Sequence, residues 1–408
     1  MGPSPVARRE LGRRLATAVA DARDAGEDLA TPLLVVDLDA FDANADDLVR
    51  RAGHTPVRLA SKSVRVPALI RRALAHDGFR GVLSYTLREA LWLHEQGVTD
   101  DLLVAYPSVD RDALARLVAS PAAAAAITLM VDHADHLDVV DSVRRSLAVP
   151  VRIAIDVDAG LHVGGRHVGP KRSPLHDTAE VVSLARRVVE RRGFRLVGVM
   201  TYEGQVAGLP DDVPRQRARS LVVRGLKQAS IGQLEARRRE VADALAPLVD
   251  LELWNAGGSG SVEATAADPV VTEVAAGSGL LVPTLFDHYQ SFEPRPAAFF
   301  AVPVVRRPSA DLATVHGGGL VASGAAGRDR LPTPWLPEGL HLTGLEGAGE
   351  VQTPLTGPGA SRLRTGDLVW FRHAKSGELF EHGTDVRLLS GSAFVDRVET
   401  YRGLGLAF

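Results

Sequence analysis

The sequence predicts an α/β protein, a (β/α)8 TIM barrel followed by a C-terminal β domain. Three observations carry this. Short apolar or β-branched runs alternate with helix-period stretches eight times within about 230 residues, the spacing of a (β/α)8 barrel. The turn after the first run is Ser61-Lys62-Ser63, not the Gly-x-Gly-x-x-Gly that opens a dinucleotide-binding sheet. Beyond about Ser291 the helical period disappears, and short alternating runs separated by Pro and Gly take over.

The chain starts with an amphipathic helix, Leu11, Leu15, Val19 and Ala22 falling on one face. Residues 1–30 form this helical segment, 31–290 the barrel, and 291–408 the β domain. Leu33–Asp37 is a strand that fits pairing with the β domain as well as with the barrel. The barrel strands are Val57–Ala60, Gly81–Tyr85, Leu102–Ala105, Ile127–Val131, Val151–Val157, Leu196–Met200, Leu251–Trp254 and Thr272–Ala276. Between them lie helices such as Val66–Ala75, Leu87–Gln96, Arg111–Ala119, Ala134–Ser146, Ala179–Arg191 and Arg215–Ala246, the last ended by Pro247. In the β domain, strands are expected at Phe299–Val305, Leu312–Val315, Gly319–Ala322, Leu340–Leu342, Asp367–Phe371, Asp385–Leu389 and Ala393–Val398.

Composition narrows the function. A net charge of −3 points to neither nucleic acid nor an acidic membrane surface as partner. The absence of cysteine excludes disulfides, thiolate metal sites and a cysteine nucleophile. No apolar run reaches the ~20 residues a bilayer-crossing helix needs, and Val6–Leu29 lacks the apolar core of a signal peptide. A cytoplasmic enzyme acting on a small molecule is expected.

Barrel chemistry gathers where the strands end at their C-termini. Strand one ends at Lys62, strand two at Ser84, Tyr85 and Thr86, strand three at Tyr106, and strand four at Asp132 and His133. Strand five leads to Asp156, Asp158, His162 and Arg166, and strand six to Thr201, Tyr202, Glu203 and Gln205. Strand seven gives Asn255 and the run Gly257-Gly258-Ser259-Gly260-Ser261, and strand eight gives Gly277-Ser278-Gly279. Gly/Ser turns after strands seven and eight let backbone N–H groups and hydroxyls approach a phosphate. An amine held out of water condenses with an aldehyde. Lysine and phosphate cradle together suit pyridoxal 5'-phosphate, with Lys62 forming the Schiff base and Tyr85, Tyr106, Tyr202 and Asn255 lining the ring. His133 and His162 are expected to be structural, and Asp132 and Asp158 to bridge loops.

Several ordered motifs resemble the fold-type III pyridoxal-phosphate enzymes, the alanine racemase N-terminal domain superfamily. They are Thr-Pro-Leu-Leu-Val-Val-Asp-Leu-Asp (31–39), Arg-Leu-Ala-Ser-Lys (58–62), Tyr-Thr-Leu-Arg-Glu-Ala (85–90), Asp-Leu-Leu-Val-Ala-Tyr-Pro (101–107), Ile-Asp-Val-Asp-Ala-Gly-Leu-His (155–162) and Trp-Asn-Ala-Gly-Gly-Ser-Gly-Ser (254–261). Within these the chain looks most similar to the D-threonine aldolase / D-serine dehydratase branch, including proteins described as amino acid deaminase/aldolase. The resemblance implies a homodimer with its site at the interface, Lys62 as the cofactor lysine, the 257–261 turn as the phosphate site, and Tyr202 beside the cofactor. It also implies a divalent metal held by a His-x-Cys or His-x-Asp pair. Here that pair falls on His373-Ala374-Lys375, so His373 is the candidate metal ligand and the candidate catalytic group near a substrate β-hydroxyl. The expected reaction is retro-aldol cleavage of a D-configured β-hydroxy amino acid. The alternatives are dehydration to a 2-oxo acid and ammonia, racemization, and a non-catalytic cofactor carrier. Racemases of this kind take a tyrosine from the β domain, and residues 290–400 contain none.

Overall fold

The structure is a computed structural model that describes residues 4–147, 149–293 and 295–408; residues 1–3 of the expected N-terminal segment lie outside these. The chain divides into two compact units. One comprises 1–46, 63–70 and 278–407, the other 47–62, 71–277 and 408. The expected boundaries at 30 and 290 therefore do not coincide with the units, because the chain passes between them several times.

Along the described chain, β1 (Leu33–Asp37) is followed by β2 (Val57–Ala60), β3 (Phe79–Ser84), β4 (Leu102–Val104), β5 (Ile127–Val131) and β6 (Val151–Asp156). A hairpin, β7 (Leu161–Val163) and β8 (Arg166–Val168), precedes β9 (Phe194–Thr201), β10 (Leu253–Ala256) and β11 (Glu273–Ala276). In the second unit β2–β6 and β9–β11 close a parallel barrel in the order β10-β11-β2-β3-β4-β5-β6-β9. The eight expected strands are these eight. They were legible because parallel strands are covered on both faces and read as continuous apolar runs; β4, β5 and β10 are buried at every position. One layer of the core is Leu103, Met130, Ala154, Met200 and Leu253, one residue from each of five strands.

The first unit is a mostly antiparallel sheet that continues with β12 (Ala298–Ser309), β13 (Leu312–His316), β14 (Thr333–Leu336), β15 (His341–Leu342), β16 (Gln352–Thr356), β17 (Leu368–Arg372), β18 (Asp385–Ser390) and β19 (Ala393–Glu399). β1 belongs here. It pairs antiparallel with β12 (Val35 opposite Phe299) and parallel with β18 (Val36 opposite Leu388). The helix Pro5–Asp24 lays Leu15, Ala18 and Val19 on Val35, Phe299, Trp335, Trp370 and Leu389. Two expectations fail. Gly319–Ala322 forms no strand, since its glycines favour turns. β14 and β16, each carrying a proline (Pro334, Pro354), went unforeseen because proline usually argues against a strand. No described helix is long and apolar enough to cross a membrane.

A buried ion pair organises the N-terminal end of the barrel. Arg58 Nε and Nη2 donate to Glu273 Oε1 and Oε2 at 2.6 and 2.7 Å, and Arg58 Nη1 lies 2.8 Å from Asp101. Burial opposes the Arg58 charge, and the Glu273 and Asp101 carboxylates overcome that opposition. Arg58 and Glu273 are 2% and 5% exposed, so removing Glu273 leaves the buried guanidinium with only the half-exposed Asp101 as counter-charge. Glu273→Leu is expected to cost about 3–5 kcal/mol in chemical denaturation, and adding Arg58→Met to restore most of it. A single-variant cost below ~1 kcal/mol would contradict this account.

Candidate active site

Lys62 leaves the barrel immediately after β2, in the 3-10 turn Ser61–Ser63. The turn is held by a buried carboxylate. Ser61 Oγ lies 2.9 Å from Glu89 Oε2 and donates to Leu83 O at 3.2 Å. The Tyr85 N–H donates to the same Glu89 oxygen at 2.9 Å. The ends of β2 and β3 are thereby locked together, which fixes the base of the lysine side chain. Lys62 Nζ donates to Tyr106 Oη at 3.2 Å.

From Lys62 a series of side chains follows the barrel mouth around its strand ends. The Arg172 guanidinium lies 5.8 Å from the Tyr106 ring and 5.7 Å from the Tyr202 ring. Tyr106, Asp156, Arg172, Met200 and Tyr202 line one small cavity. Beyond Tyr202 stands Gly258, where a Cβ would meet Ala207 Cβ at 2.9 Å and Tyr202 Cε2 at 3.5 Å. The turn after β10 thus needs glycine for close approach as well as for the positive φ of Gly257 (83°).

Charge in this cavity is unusual. Burial pushes the Asp156 carboxyl up to about 7, reinforced by Asp132 and Asp158 and offset by Arg172. Burial raises Tyr202 too. For Tyr106 burial acts in the same direction, but the Lys62 and Arg172 charges win and lower it. A carboxyl near neutrality and a phenol biased toward its anion can exchange protons with a bound ligand.

The 257–261 turn is tied into the barrel by Glu203, which is 2% exposed. Glu203 Oε2 accepts from the Gly257 N–H at 3.1 Å and from Arg238 Nη2 at 2.9 Å. Its Oε1 accepts from the Thr265 hydroxyl and, at 3.4 Å, from Ser261 Oγ. Ser261 Oγ also accepts from the Gly258 N–H at 3.2 Å. The Gly257 N–H and the Ser261 hydroxyl therefore bond within the barrel unit and shape the turn. Ser259 Oγ accepts from the Gly277 N–H at 3.3 Å, which joins the turns after β10 and β11, and Arg51 Nη2 fixes the Ser259 carbonyl at 2.9 Å. Gly260 completes the turn. Asn255 departs from expectation. Its amide donates to Glu273 at 2.8 Å and belongs to the Arg58 pair. Tyr85, half-buried, and Tyr202 remain at the strand ends.

The hairpin β7–β8 and the loop after it were not foreseen. They bring His162, His167 and His176 around Asp158 and carry Arg172. His133 caps the helix Ala134–Val143, the structural role expected of it.

His373 is buried in the first unit beside Arg372. Neither ring nitrogen makes a well-formed hydrogen bond, although the Ala298 backbone lies alongside. Among the described residues His373 belongs to no group of three metal-type ligands. The side chain two residues on, Lys375, is held by Glu378 at 2.7 Å and Ser323 at 2.5 Å. The residues present do not fit the His-x-Asp or His-x-Cys metal pair, since a protonated lysine stands where the second ligand would be.

The family description "Alanine racemase, N-terminal domain" matches residues 36–281. The chain belongs to this family. It is 30% identical over 255 residues to a D-threonine aldolase of Arthrobacter sp, a match spanning 61% of this chain and 60% of that protein. Among solved structures, the D-threonine aldolase of Filomicrobium marinum has a TM-score of 0.77 at 19% identity, covering 93% of this chain and 96% of that one. D-threo-3-hydroxyaspartate dehydratase from Delftia sp. HT23 has a TM-score of 0.72 at 22% identity, covering 91% and 97%. These structural likenesses establish the shared fold.

His373 makes a pH prediction. Burial, with the Arg372 charge, pushes it down to about 3, whereas an unfolded imidazole protonates near 6.5. Its folded value is depressed, so its contribution is full above pH ~6.5 and is lost as pH falls toward 3, by up to about 1.4 kcal/mol per unit. His373→Leu is expected to flatten the fall in denaturation midpoint between pH 7 and pH 5. An unchanged slope would show that other groups set it.

Proposed function

We propose that the protein is a pyridoxal-phosphate-dependent lyase cleaving D-configured β-hydroxy amino acids by a retro-aldol reaction. One observation carries the reading. Lys62, Tyr106, Arg172, Tyr202 and Gly258 succeed one another around the barrel mouth and bring an amine at one strand end and a glycine turn at another to the same opening. An aldehyde with a phosphate arm suits that pair, and the family match and the 30% identity to a D-threonine aldolase favour the same reading.

When bound, the cofactor supplies an electron sink for the bond-breaking step. Lys62, at the end of β2, is the amine that would hold it. Tyr106 orients the lysine amine through its hydroxyl. Arg172, between two aromatic rings, presents a fixed cation to the polar edge of the cofactor or to a substrate carboxylate. Tyr202 and Gly258 would form one wall of the cofactor site. In cleavage the β-hydroxyl gives up its proton as the Cα–Cβ bond breaks to release an aldehyde, and a proton returned to Cα completes glycine. His373 stays neutral near pH 7, which suits an acceptor of hydrogen bonds better than a carrier of protons. The reading includes a homodimer, checked by light scattering.

Purified protein given pyridoxal phosphate should develop a visible absorbance band that is absent from Lys62→Ala. With D-threonine it should release acetaldehyde and glycine, while Lys62→Ala loses at least about 10³-fold in rate, as expected when a covalent catalyst is removed. Release of 2-oxobutanoate and ammonia instead would make it a dehydratase, and no cofactor band would overturn the reading.

A further inference from the structure

We propose that Asp158, His162 and His167 bind a divalent transition-metal ion of the zinc class, at a site separate from His373 and independent of the lyase reading. The three side chains each present one ligand atom, all within 4.8 Å of one another. Both histidines turn Nε2 toward the carboxylate. His162 Nε2 lies 3.4 Å from Asp158 Oδ2, and His167 Nε2 lies 3.1 and 3.0 Å from Oδ1 and Oδ2. Nitrogen and oxygen ligands about 2.0 Å from a tetrahedral zinc lie roughly 3.3 Å from one another, so small side-chain rotations admit the ion.

The scaffold is built to hold this arrangement. His162 and His167 are register partners across the β7–β8 hairpin, so both rings project from the same face, 4.9 Å apart and edge-on. Asp158 is fixed at both ends, its N–H donating to Leu175 O at 2.8 Å and its Oδ1 accepting from the Gly160 N–H at 3.0 Å. Gly160 is required there, because a Cβ would overlap the His167 ring at 2.2 Å. Gln233 clamps the hairpin by bonding both the N–H and the carbonyl of His162, at 3.0 and 3.2 Å.

The chemistry of the set selects the ion. Two imidazoles and one carboxylate suit zinc, cobalt and nickel, and are wrong for magnesium and calcium, which require mostly oxygen. His176 stacks on His162 at 3.6 Å, but its Nδ1 faces Arg237 Nη1 at 2.7 Å. It stands outside the ligand set, as a wall. Three protein ligands leave a position for water, the pattern of an open site. Asp158 also lines the cavity that holds Arg172. A bound ion would therefore pin the hairpin to the end of β6 and steady the loop that carries Arg172.

The test is titration of Co2+ into chelator-stripped, full-length protein, followed by visible absorbance. One Co2+ per chain should give ligand-field bands that Zn2+ displaces. His162→Gln and His167→Gln should each weaken binding at least about tenfold, a loss of ~1.4 kcal/mol, with His373→Leu unaffected. His162 is the most exposed of the three ligands, so its substitution spares the fold, and far-UV circular dichroism checks that. No saturable bands in the parent protein would overturn the proposal. So would undiminished binding by folded His162→Gln, or loss confined to His373→Leu. None of these readouts depends on activity or on pyridoxal phosphate.

Discussion

The mouth of the barrel depends on one buried carboxylate, Glu203. It neutralises Arg238, caps the Gly257 N–H and takes the Thr265 hydroxyl, so three separate chain segments converge on two oxygens. Arg238 in turn donates to Thr201 Oγ1 at 2.9 Å and to Asp268 at 3.2 Å, and the Trp254 indole donates to the same Thr201 hydroxyl. Burying these charges is unfavourable unless each is paired and hydrogen-bonded. The network meets that condition, and in doing so it fixes the glycine turn after β10, two strands from the one that carries Lys62. A flexible Gly-Gly-Ser-Gly-Ser segment acquires one shape because the Gly257 and Gly258 N–H groups and the Ser261 hydroxyl are bonded within the barrel unit.

The sequence made the barrel legible for a simple reason. Its strands are covered on both faces, so their apolar runs stand out even at three residues, as in β4. The β domain was harder to read, because strands of mixed exposure such as β16 alternate weakly and contain proline. The same contrast governs the site. Lys62, Tyr106 and Tyr202 follow directly from strands and were visible as polar residues ending apolar runs. Arg172 and His167 lie in a polar, Gly- and Pro-containing stretch between β6 and β9 that has no periodicity to read. Asn255 was misplaced because the sequence does not reveal which end of a four-residue strand its side chain serves. Its partner, Glu273, is 18 residues away in the chain.

Two electrostatic environments lie close together in the barrel unit. Around Asp156, burial and neighbouring carboxylates disfavour the anion. Around Asp158, burial acts the same way, but hydrogen bonds from His167 and the Gly160 N–H outweigh it and favour the anion. Two aspartates separated by one residue thus have opposite preferences, and both line the cavity with Arg172. The difference combines deeper burial and neighbouring carboxylates at Asp156 with the supply of hydrogen bonds at Asp158.

The pairing of β1 has a consequence for how this chain could be divided. β1 is central, with β12 on one side and β18 on the other, although more than 250 residues separate it from either. A cut at 290 would leave the N-terminal piece with an apolar strand, buried at all five positions in the intact chain, that had lost both neighbours. Such a bare strand is a template for edge-to-edge aggregation. Barrel and sheet are modules in shape but not in sequence. Recombining them with those of other proteins would require carrying residues 1–46 together with 278–407.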